Sequence, residues 1–561
     1  MKALAPIRPI GTRQHPLPTC QVHHTPCLLL TAWAVGVALS FLPLHVAGQD
    51  CLLLRDYDFV KTTDAWMSSR NGAALTRFDT SNLSVAEVTV TRERGGFVDY
   101  SSSPDVWQAS ASVSSLYRIS PRTVVTGSIH YTNFTGKEMG GSTFILTRRP
   151  AFSIEEDSLT NLGKKHLDTY QLSGGIGVDV CHGLSVGARI DYTAANYAKY
   201  KDLRHKNKLM DMTLTIGAYA PICKVVGIGA NYYYRRTNES VIYNTYGREE
   251  KIYKSFINYG PFIGEVEQFS INGLTEKGRE MPMSDNYNGG SIQVGAEIGP
   301  ARLTNELTVA HRSGYYGRKS PYTITFARHT SNVYEYHGRL TVKAPHALHH
   351  LDVTLSAENL VNHFTTYREQ TNESSATYYE YYDDVKTANK LWVEGDATYT
   401  AHWGIREELP TWSLQVGYRW MHRKQTAYAY PYYRRQKLDS GEAYLACTRH
   451  LLLRHGELAL MAQGSFRQGH GAPFEDLTFV TPSDKQAPPP TMEAWLYREH
   501  QWLTSAQYGI EGGARYSFGI RGTHLVAHTQ LTVSHRKANE TNEYSIGRDR
   551  TSVAVTVGCR F

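Results

Sequence analysis

The sequence has no hydrophobic run long enough to form a transmembrane helix. Its longest apolar run, Leu28–Leu42, is shorter than the about 20 residues that cross a bilayer as a helix, and no comparable run follows it. Helical membrane spans are therefore excluded. Phenylalanine is also scarce, with 17 residues against 38 tyrosines. Because tyrosine has an apolar ring and a polar hydroxyl, this bias favours surfaces where apolar material meets water.

Cysteine is scarce too, and the net charge is small. Of seven cysteines, Cys20 and Cys27 precede a predicted cleavage site, and the other five are scattered without a CxxC spacing. This pattern predicts neither a disulfide framework nor a metal site. Without residues 1–48, 56 basic and 52 acidic residues remain, a net charge of +4, and no basic run occurs. Nucleic acid is therefore not an expected partner.

The N-terminus has the pattern of an export signal. Lys2, Arg8 and Arg13 precede the apolar run, and the small residues Ala47 and Gly48 suit cleavage after Gly48. We therefore predict a signal peptide at residues 1–48. The alternative is a buried N-terminal helix.

From residue 83 onward, alternating apolar and polar residues predict a succession of strands, because side chains of a strand point to opposite faces in turn. The predicted strands lie near 83–94, 106–118, 123–134, 166–180, 184–199, 208–220, 225–237, 288–299, 302–315, 331–344, 349–363, 388–404, 411–424, 440–453, 456–468, 503–518, 522–536 and 551–561. These are about 18 strands, and single-chain bacterial barrels have an even number.

The links between these strands alternate in length. Short links near 121, 181–183, 221–224, 300–301 and 345–348 are separated by long ones at 135–165, 238–287, 364–387, 469–502 and 537–550. Barrels separate short periplasmic turns from long extracellular loops in this way. A β-sandwich, the alternative, has shorter strands and no reason for this parity.

Individual strands have two different faces. One face of the segment 412–423 is apolar with aromatic residues at both ends, namely Trp412, Leu414, Val416, Tyr418 and Trp420. The last strand likewise has Val553, Val555 and Val557 on one face and polar or small residues on the other. The fold class predicted is all-β, a transmembrane antiparallel β-barrel. Its limits are residues 83–561, with residues 49–82 as a separate segment before it.

The polar face predicts a lumen wall rather than a catalytic centre. His524 and His528 have a helical metal spacing, but on a strand they would be about 13 Å apart, too far to share a zinc ion. No nucleophile–base motif or phosphate loop stands out, so we expect no enzyme activity, metal or cofactor. The candidate lumen-lining residues are Arg189, Asp191, Glu335, Arg339, Glu394, Asp396, Arg419, Arg423, Glu511, Arg515, His524 and His528. They either brace the wall as a network or form a charged eyelet that selects solutes.

The signal peptide, the alternating strands and the terminal Phe561 together resemble the outer-membrane β-barrel superfamily over roughly residues 83–561. The resemblance implies a bacterial outer-membrane location and a final strand, ending in Phe561, that the barrel-assembly machinery reads as an insertion signal. More narrowly, segments 52–78, 95–100, 135–144, 190–212 and 231–236 resemble an uncharacterised family of Bacteroidota outer-membrane barrels. That resemblance implies location and fold, and no activity.

The segment before the first strand resembles, more weakly, the N-terminal hatch of fatty-acid-type channels. Residues 71–75 (NGAAL) stand where that family has an Asn-Pro-Ala-Gly-like turn, without its proline. Because residues 49–82 also include Phe59 and Trp66, we expect them to fold into the lumen as a small plug. Deleting them should then raise conductance, and an unchanged conductance in a folded deletion variant would contradict this.

The function predicted is a passive channel or uptake barrel for small or hydrophobic solutes. Residues 49–82 and the loops 238–287 and 469–502 would control access, and the first of these loops is long enough to fold inward. The alternative is a non-conducting surface anchor, or a partner of a secretion or uptake complex, that acts through the tyrosine-rich segments 378–384 and 428–435. The expected partners are outer-membrane lipid, the barrel-assembly machinery and, under the alternative, a surface or periplasmic protein.

Overall fold

The computed structural model of this chain describes residues 59–60, 66, 69–78, 82–156, 158–181, 183–247, 251–269, 274–320, 322–406 and 408–561. The predicted signal peptide and much of the segment 49–82 lie outside these residues.

The described residues form 22 strands and few helices. The strands are β1 (Leu83–Arg94), β2 (Asp105–Ser120), β3 (Thr123–Met139), β4 (Ser153–Glu156), β5 (Gly163–Cys181), β6 (Leu184–Lys199), β7 (Arg204–Pro221), β8 (Val226–Asn244), β9 (Lys254–Gly260), β10 (Ile263–Gln268), β11 (Met281–Ile298), β12 (Ala301–Ser320), β13 (Thr323–Ala344), β14 (Ala347–Thr371), β15 (Thr377–Trp403), β16 (Trp412–Ala429), β17 (Tyr432–Leu453), β18 (Gly456–His470), β19 (Glu475–Thr478), β20 (Gln507–Gly519), β21 (Val526–Ala538) and β22 (Asp549–Arg560). The helices are two 3₁₀ turns, Gly72–Arg77 and Leu159–Asn161, and the α-helix α1 (Glu493–Thr504).

Eighteen of these strands form a closed antiparallel barrel. Each pairs with the next barrel strand along the chain, and β1 closes the ring on β22, with a register from Val85↔Arg560 to Arg94↔Thr551. Four strands lie outside this ring: β4, β9 and β10 form a separate sheet, and β19 pairs with the upper end of β17. The predicted fold class and number of strands are confirmed.

The 18 predicted segments match the 18 barrel strands one for one, but several strands extend further than predicted. β14 continues to Thr371 and β15 already begins at Thr377, so the prediction of a long loop at 364–387 is wrong. It is a tall hairpin whose tyrosine-rich strands rise above the apolar belt, where a strand needs no apolar face. The strand predicted from residue 503 begins at Gln507, because α1 occupies the residues before it.

The two ends of the barrel differ as predicted. Eight short links, from the turn between β2 and β3 to the turn between β20 and β21, lie at the end that also holds Leu83 and Phe561. The opposite end carries the long links 140–162, 245–280 and 471–506. In bacterial barrels the first end is periplasmic and the second extracellular.

The outward face of the wall is an apolar belt. On β6, Val186 and Ile190 are exposed, and on β16 Trp412 and Trp420 stand at the two ends of an exposed aliphatic stretch. A closed wall with a continuous apolar exterior is stable only in lipid. The last strand follows the same rule, since Val555 faces outward while Thr556 bonds to Thr89 inside. In the described part of the chain, no helix is long and apolar enough to cross a membrane.

Two separate elements fill the interior of the barrel. At the extracellular end, β4, β9 and β10 form the lid sheet, in the order β10–β9–β4. At the periplasmic end, Trp66 and residues 69–78 pack against the inner wall, and we call these described residues the N-terminal segment. The space between these two elements contains the candidate site.

Candidate functional site

A polar cavity of about 700 Å³ lies inside the barrel. Arg148, from the link between β3 and β5, bounds it on one side, and Arg70, from the N-terminal segment, bounds it on another. The wall contributes both signs of charge, through Glu306, Glu335, Glu394, Asp396, Arg419, Glu442 and Arg467. A cavity of this size and charge suits a small polar solute better than an apolar one.

The wall residues of the cavity follow from strand register. Directly paired residues on successive strands point the same way, and one such row crosses seven strands. It runs Glu306, His337, Thr354, Asp396, Arg419, Glu442 and Arg467. Arg419 therefore stands between two carboxylates, and its guanidinium donates to Asp396 at 3.0 Å. From Asp396 to Arg467 the row alternates acidic and basic residues on one side of the lumen, and we call these four residues the charge ladder.

Two further acidic residues of the cavity hold the arginines that enter it from outside the wall. Glu335 pairs with Arg70 at 2.6 Å. Glu394 pairs with Arg148 and, at 3.0 Å, with Arg149. The wall is thereby connected to the N-terminal segment below and to the lid region above.

The other predicted lumen residues lie away from this cavity, mostly in local ion pairs. Arg189 pairs with Asp191 at 2.9 Å, Arg339 with Asp352, Arg423 with Glu499 at 2.7 Å, and Arg515 approaches Glu457 at 3.9 Å. His528 is buried, 3.0 Å from Glu87, and Glu511 is exposed. These residues brace the wall at separate heights.

His524 corrects one prediction. The sequence pattern predicted that His524 lies on a strand and faces the lumen. In the structure His524 is exposed in the turn between β20 and β21, and β21 begins only at Val526. Gly522, at φ +77°, and the hydrogen bond from Ile520 N to Leu525 O form that turn. A period-two pattern does not show where a strand stops and a turn begins.

Sequence reasoning also missed four acidic or basic residues of the cavity. Arg70 and Arg148 lie outside the barrel strands, where alternation gives no direction to a side chain. Glu442 and Arg467 lie on predicted strands, and their parity could have identified them as inward residues once β17 was aligned with Arg419 on β16.

The link 140–162 is fastened to the wall on several sides. Glu239 on β8 accepts hydrogen bonds from the backbone N–H groups of Ile145, at 2.7 Å, and Leu146, at 3.1 Å. Lys390 on β15 donates to the carbonyl of Pro150 at 3.1 Å. Because β8 and β15 are five strands apart in the ring of 18, the link spans part of the barrel opening and is held at both ends of that span.

The lid sheet is packed into the barrel as a hydrophobic core. Phe152 and Ile154 around β4 and Ile257 on β9 are fully buried against the wall residues Tyr316 and Leu360. The helix α1 extends this core, because Trp495 is fully buried and donates from its indole N–H to the carbonyl of Glu156 at 3.3 Å. The lid sheet, the link 140–162 and α1 together close the extracellular end.

Glu156 and Glu239 are buried carboxyl groups of this closure, and two further ones are Glu155 and Asp99. Burial raises the pKa of Glu155 on β4 to about 7, against hydrogen bonds from Asn258 and Ser153 that favour the charged form. Burial and the nearby Glu499 raise the pKa of Asp99 to about 6. One carboxyl oxygen of Glu155 and one of Asp99 have no hydrogen-bond partner among the described residues. Both of these groups are therefore held more readily in their neutral form.

The N-terminal segment is held by one asparagine and a row of wall glycines. The buried Asn71 side chain donates to the carbonyl of Ala218 at 2.9 Å and to Gln293 at 3.1 Å, and it caps the 3₁₀ turn by accepting from Ala73 N. Gly177 and Gly187 on the inner wall leave the space that the backbone of Gly72 occupies. Glycine is needed here because two backbones come into direct contact.

Replacing Gly187 with alanine should loosen the N-terminal segment. The added Cβ would lie 2.2 Å from backbone atoms of Gly72 and Ala73, which cannot move aside as a flexible side chain could. Overpacking of this kind costs about 1–3 kcal/mol, so hydrogen exchange of the amides of residues 72–77 should be about tenfold faster or more. Gly464→Ala is the control, since its Cβ meets no atom within 4 Å. Unchanged exchange in Gly187→Ala would show that the glycine cradle does not hold the segment.

No three His, Cys, Asp or Glu side chains in the described ranges lie close enough together to hold a metal ion.

Comparison with known proteins gives a family and a set of low-scoring structural likenesses. A family model described as a family of unknown function, DUF6850, matches residues 72–561. No curated protein matches the sequence.

Solved structures that resemble the chain include outer-membrane transporters and a channel. They are the ferric preacinetobactin receptor BauA from Acinetobacter baumannii (10% identity, 85% of this chain, 80% of that chain, TM-score 0.38) and the outer membrane transporter YddB from Escherichia coli (7% identity, 86% of this chain, 81% of that chain, TM-score 0.39). A mutant of the monoaromatic hydrocarbon channel TodX is also similar (9% identity, 88% of this chain, 93% of that chain, TM-score 0.27). These scores are too low to transfer a substrate.

Proposed function

The chain belongs to the family of unknown function DUF6850 and is a β-barrel of the bacterial outer membrane, and we propose that it is a gated uptake channel for small polar solutes. The observation that carries the proposal is the charged cavity between the N-terminal segment and the closed extracellular end. A barrel of 18 strands is wide enough to leave an aqueous channel once such elements move.

The chemistry of the cavity supports polar rather than hydrophobic cargo. Its wall carries the charge ladder, and its ends are formed by Arg70 and Arg148. An apolar solute would have to desolvate these charged groups without replacing their hydrogen bonds. A zwitterionic solute can exchange bonds with both signs, so amino acids and short peptides are the solute class we favour.

The plug-like role of residues 49–82 is part of this proposal. Among the described residues at the periplasmic end, cavities of about 550 Å³ and about 770 Å³ lie beside Trp66 and Phe59. The extracellular closure is therefore the principal barrier to passage, and the segment is the secondary one.

Proteoliposome swelling with residues 49–561 tests the proposed function. We expect zwitterionic amino acids and dipeptides to swell the liposomes faster than neutral sugars of equal size. The double substitution Asp396→Asn/Arg419→Gln should remove this preference, since it neutralises one ion pair of the charge ladder. Arg189→Gln/Asp191→Asn is the matched control, because it removes an inward ion pair that does not line the cavity. Folded protein that admits no solute even after the lid hairpin of residues 251–273 is removed would exclude a channel.

The second candidate is the non-conducting anchor or partner protein, which the fully packed lid sheet favours. Under this function the swelling assay stays silent and the protein co-purifies with a defined surface or periplasmic protein after cross-linking in cells. Absence of a stoichiometric partner would exclude it.

We also propose that Phe561 is part of the insertion signal. Its ring is exposed at the end of the closing strand, while its backbone bonds to Ser84 at 3.0 and 3.1 Å. Phe561→Ala should reduce assembly into the outer membrane several-fold in cells but leave detergent refolding of the purified barrel unchanged. Equal loss in both assays would indicate a purely structural role.

A further inference from the structure

The outer surface of the barrel carries a groove that the proposed channel does not use. It has a volume of about 600 Å³ and lies on β15, β16, β17 and β19. The lining includes Lys424, Arg435 and Lys437 together with Tyr428, Tyr433 and Phe479. Basic and aromatic side chains therefore share one outward-facing depression.

The height of the groove relative to the membrane follows from β16. Outward residues on this strand run from Trp412 through Val416 to Trp420 and then to Lys424. Four residues beyond Trp420 correspond to about 10 Å along the axis of a barrel whose strands are tilted by about 40°. Lys424 therefore stands just outside the apolar belt, at the level of the lipid headgroups of the outer leaflet.

The charges in the groove are not neutralised by the protein. Lys424 and Lys437 are directly paired across β16 and β17, and both are exposed. Like charges at directly paired positions are destabilising. Neither lysine forms an ion pair with any residue that the structure describes, and Glu475 is the one carboxylate among the lining residues. The arrangement is explained if an external anion lies between the two ammonium groups.

The aromatic residues beside these lysines form a stacked surface. The ring centroid of Phe479 lies 4.6 Å from that of Tyr433 and 6.1 Å from that of Tyr428. The rings of Phe479 and Tyr428 are nearly parallel. The ammonium of the exposed Lys386 lies 5.3 Å from the ring of Tyr428, which adds a fourth cation at the edge of the groove. Flat aromatic faces next to cations suit the apolar face of a sugar that carries phosphate.

We propose that this groove binds the phosphorylated sugar headgroup of the glycolipid that fills the outer leaflet. The phosphate would lie between Lys424 and Lys437, and the sugar ring would lie against Phe479 and Tyr433. The groove opens toward the leaflet itself, so its ligand is a component of the membrane rather than a solute in transit. Such binding would fix the height and the rotation of the barrel in the outer leaflet.

Binding of diphosphoryl lipid A to the purified barrel in neutral detergent tests the inference. Each basic side chain near an anionic lipid surface contributes about 1 kcal/mol, so Lys424→Gln/Lys437→Gln should bind about thirtyfold more weakly. Lys343→Gln/Arg454→Gln is the matched control, because it removes the same charge from exposed positions at the periplasmic end. The control should bind like the unmodified protein.

Three results would overturn the proposal. An equal loss in both double variants would show non-specific attraction, and equal binding of dephosphorylated lipid would remove the role of phosphate. Displacement of the lipid by millimolar inorganic phosphate would identify a free anion as the ligand. The double variant has lost only a repulsive contact, so its thermal stability without lipid should equal or exceed that of the unmodified protein.

Discussion

Removing the hairpin of β9 and β10 should convert a nearly silent protein into an open pore. We expect the chain in which residues 251–273 are replaced by a short Gly-Ser linker to conduct in planar bilayers at least about tenfold more than the complete mature chain. β9 is the central strand of the lid sheet, so its removal leaves β4 without a partner. The residues lost include Phe256 and Ile257, which are fully buried inside the barrel mouth.

The expected increase depends on which element forms the main barrier. Deleting residues 49–82 alone should raise conductance less, because the lid sheet would remain packed against Tyr316 and Leu360. The deletion of both elements should give the largest steps and the weakest solute preference. If the deletion of residues 49–82 alone opened the pore fully, the main barrier would lie at the periplasmic end.

A deletion of comparable position controls for loss of structure. Residues 482–488 lie in the same extracellular region but are largely exposed, and removing them leaves Pro490, which bonds to Gly264 at the edge of the lid sheet. This variant should stay as silent as the unmodified protein. Heat-dependent gel mobility, which distinguishes folded from unfolded barrels, should be unchanged in both deletions. A folded hairpin deletion that conducts no more than the control would show that the lid sheet does not close the pore.

The wall of this barrel was predictable because one physical rule acts on every residue of it. A strand in lipid must place apolar side chains outward at every second position, as Val186 and Ile190 do, and this repeats for all 18 strands. The rule stops where the lipid stops. Above the belt, the tyrosine-rich start of β15 remains a strand through pairing with β14 alone, such as Tyr381 with Tyr367, and its sequence resembles a loop.

The site was only partly predictable, because it depends on contacts between distant segments. Alternation alone predicted that Asp396 and Arg419 both face inward. That they are directly paired follows from the strand register, which only the structure shows. The partners that enclose the cavity, Arg70 and Arg148, come from segments whose position is set by packing rather than by period. Likewise, Gly177 and Gly187 lie on predicted strands, but the backbone of the N-terminal segment that they accommodate could not be inferred from alternation.

Raising the pH should open the channel, because the lid buries carboxyl groups that resist ionisation. The pKa of Glu155 is about 7 in the folded protein, above its ordinary value of 4.5. A carboxyl with a raised pKa stabilises the closed structure fully below pH 4.5, and this stabilisation is lost as the pH rises through 7. The difference corresponds to about 3 kcal/mol, on the order of a hundredfold change in the closed-to-open ratio. Open probability should therefore rise between about pH 4.5 and pH 7 and level off above that range.

The groups that surround Glu155 reinforce this direction. Asp99 and Glu499 both oppose its ionisation, and the pKa of Asp99 is itself raised to about 6. Lys390 and Arg423 are the cations of the nearby wall, but Arg423 is occupied by Glu499 at 2.7 Å and Lys390 by the carbonyl of Pro150. The second oxygen of Glu155 therefore gains no partner when the carboxyl loses its proton, and ionisation destabilises the lid sheet.

Glu155→Gln separates this effect from other titrations. The amide is neutral at every pH, and its oxygen can still accept from Ser153 and Asn258, which lie 2.6 and 2.7 Å from one carboxyl oxygen. We expect this variant to lose part of the pH dependence, leaving a step near pH 6 from Asp99 and the contributions of Glu156 and Glu239, the other buried carboxyls of the closure. Glu267→Gln is the control, since this half-exposed residue of β10 should leave the rise in place. An unaltered rise in Glu155→Gln would assign the pH response to another buried carboxyl of the closure, such as Glu156 on β4 or Glu239 on β8.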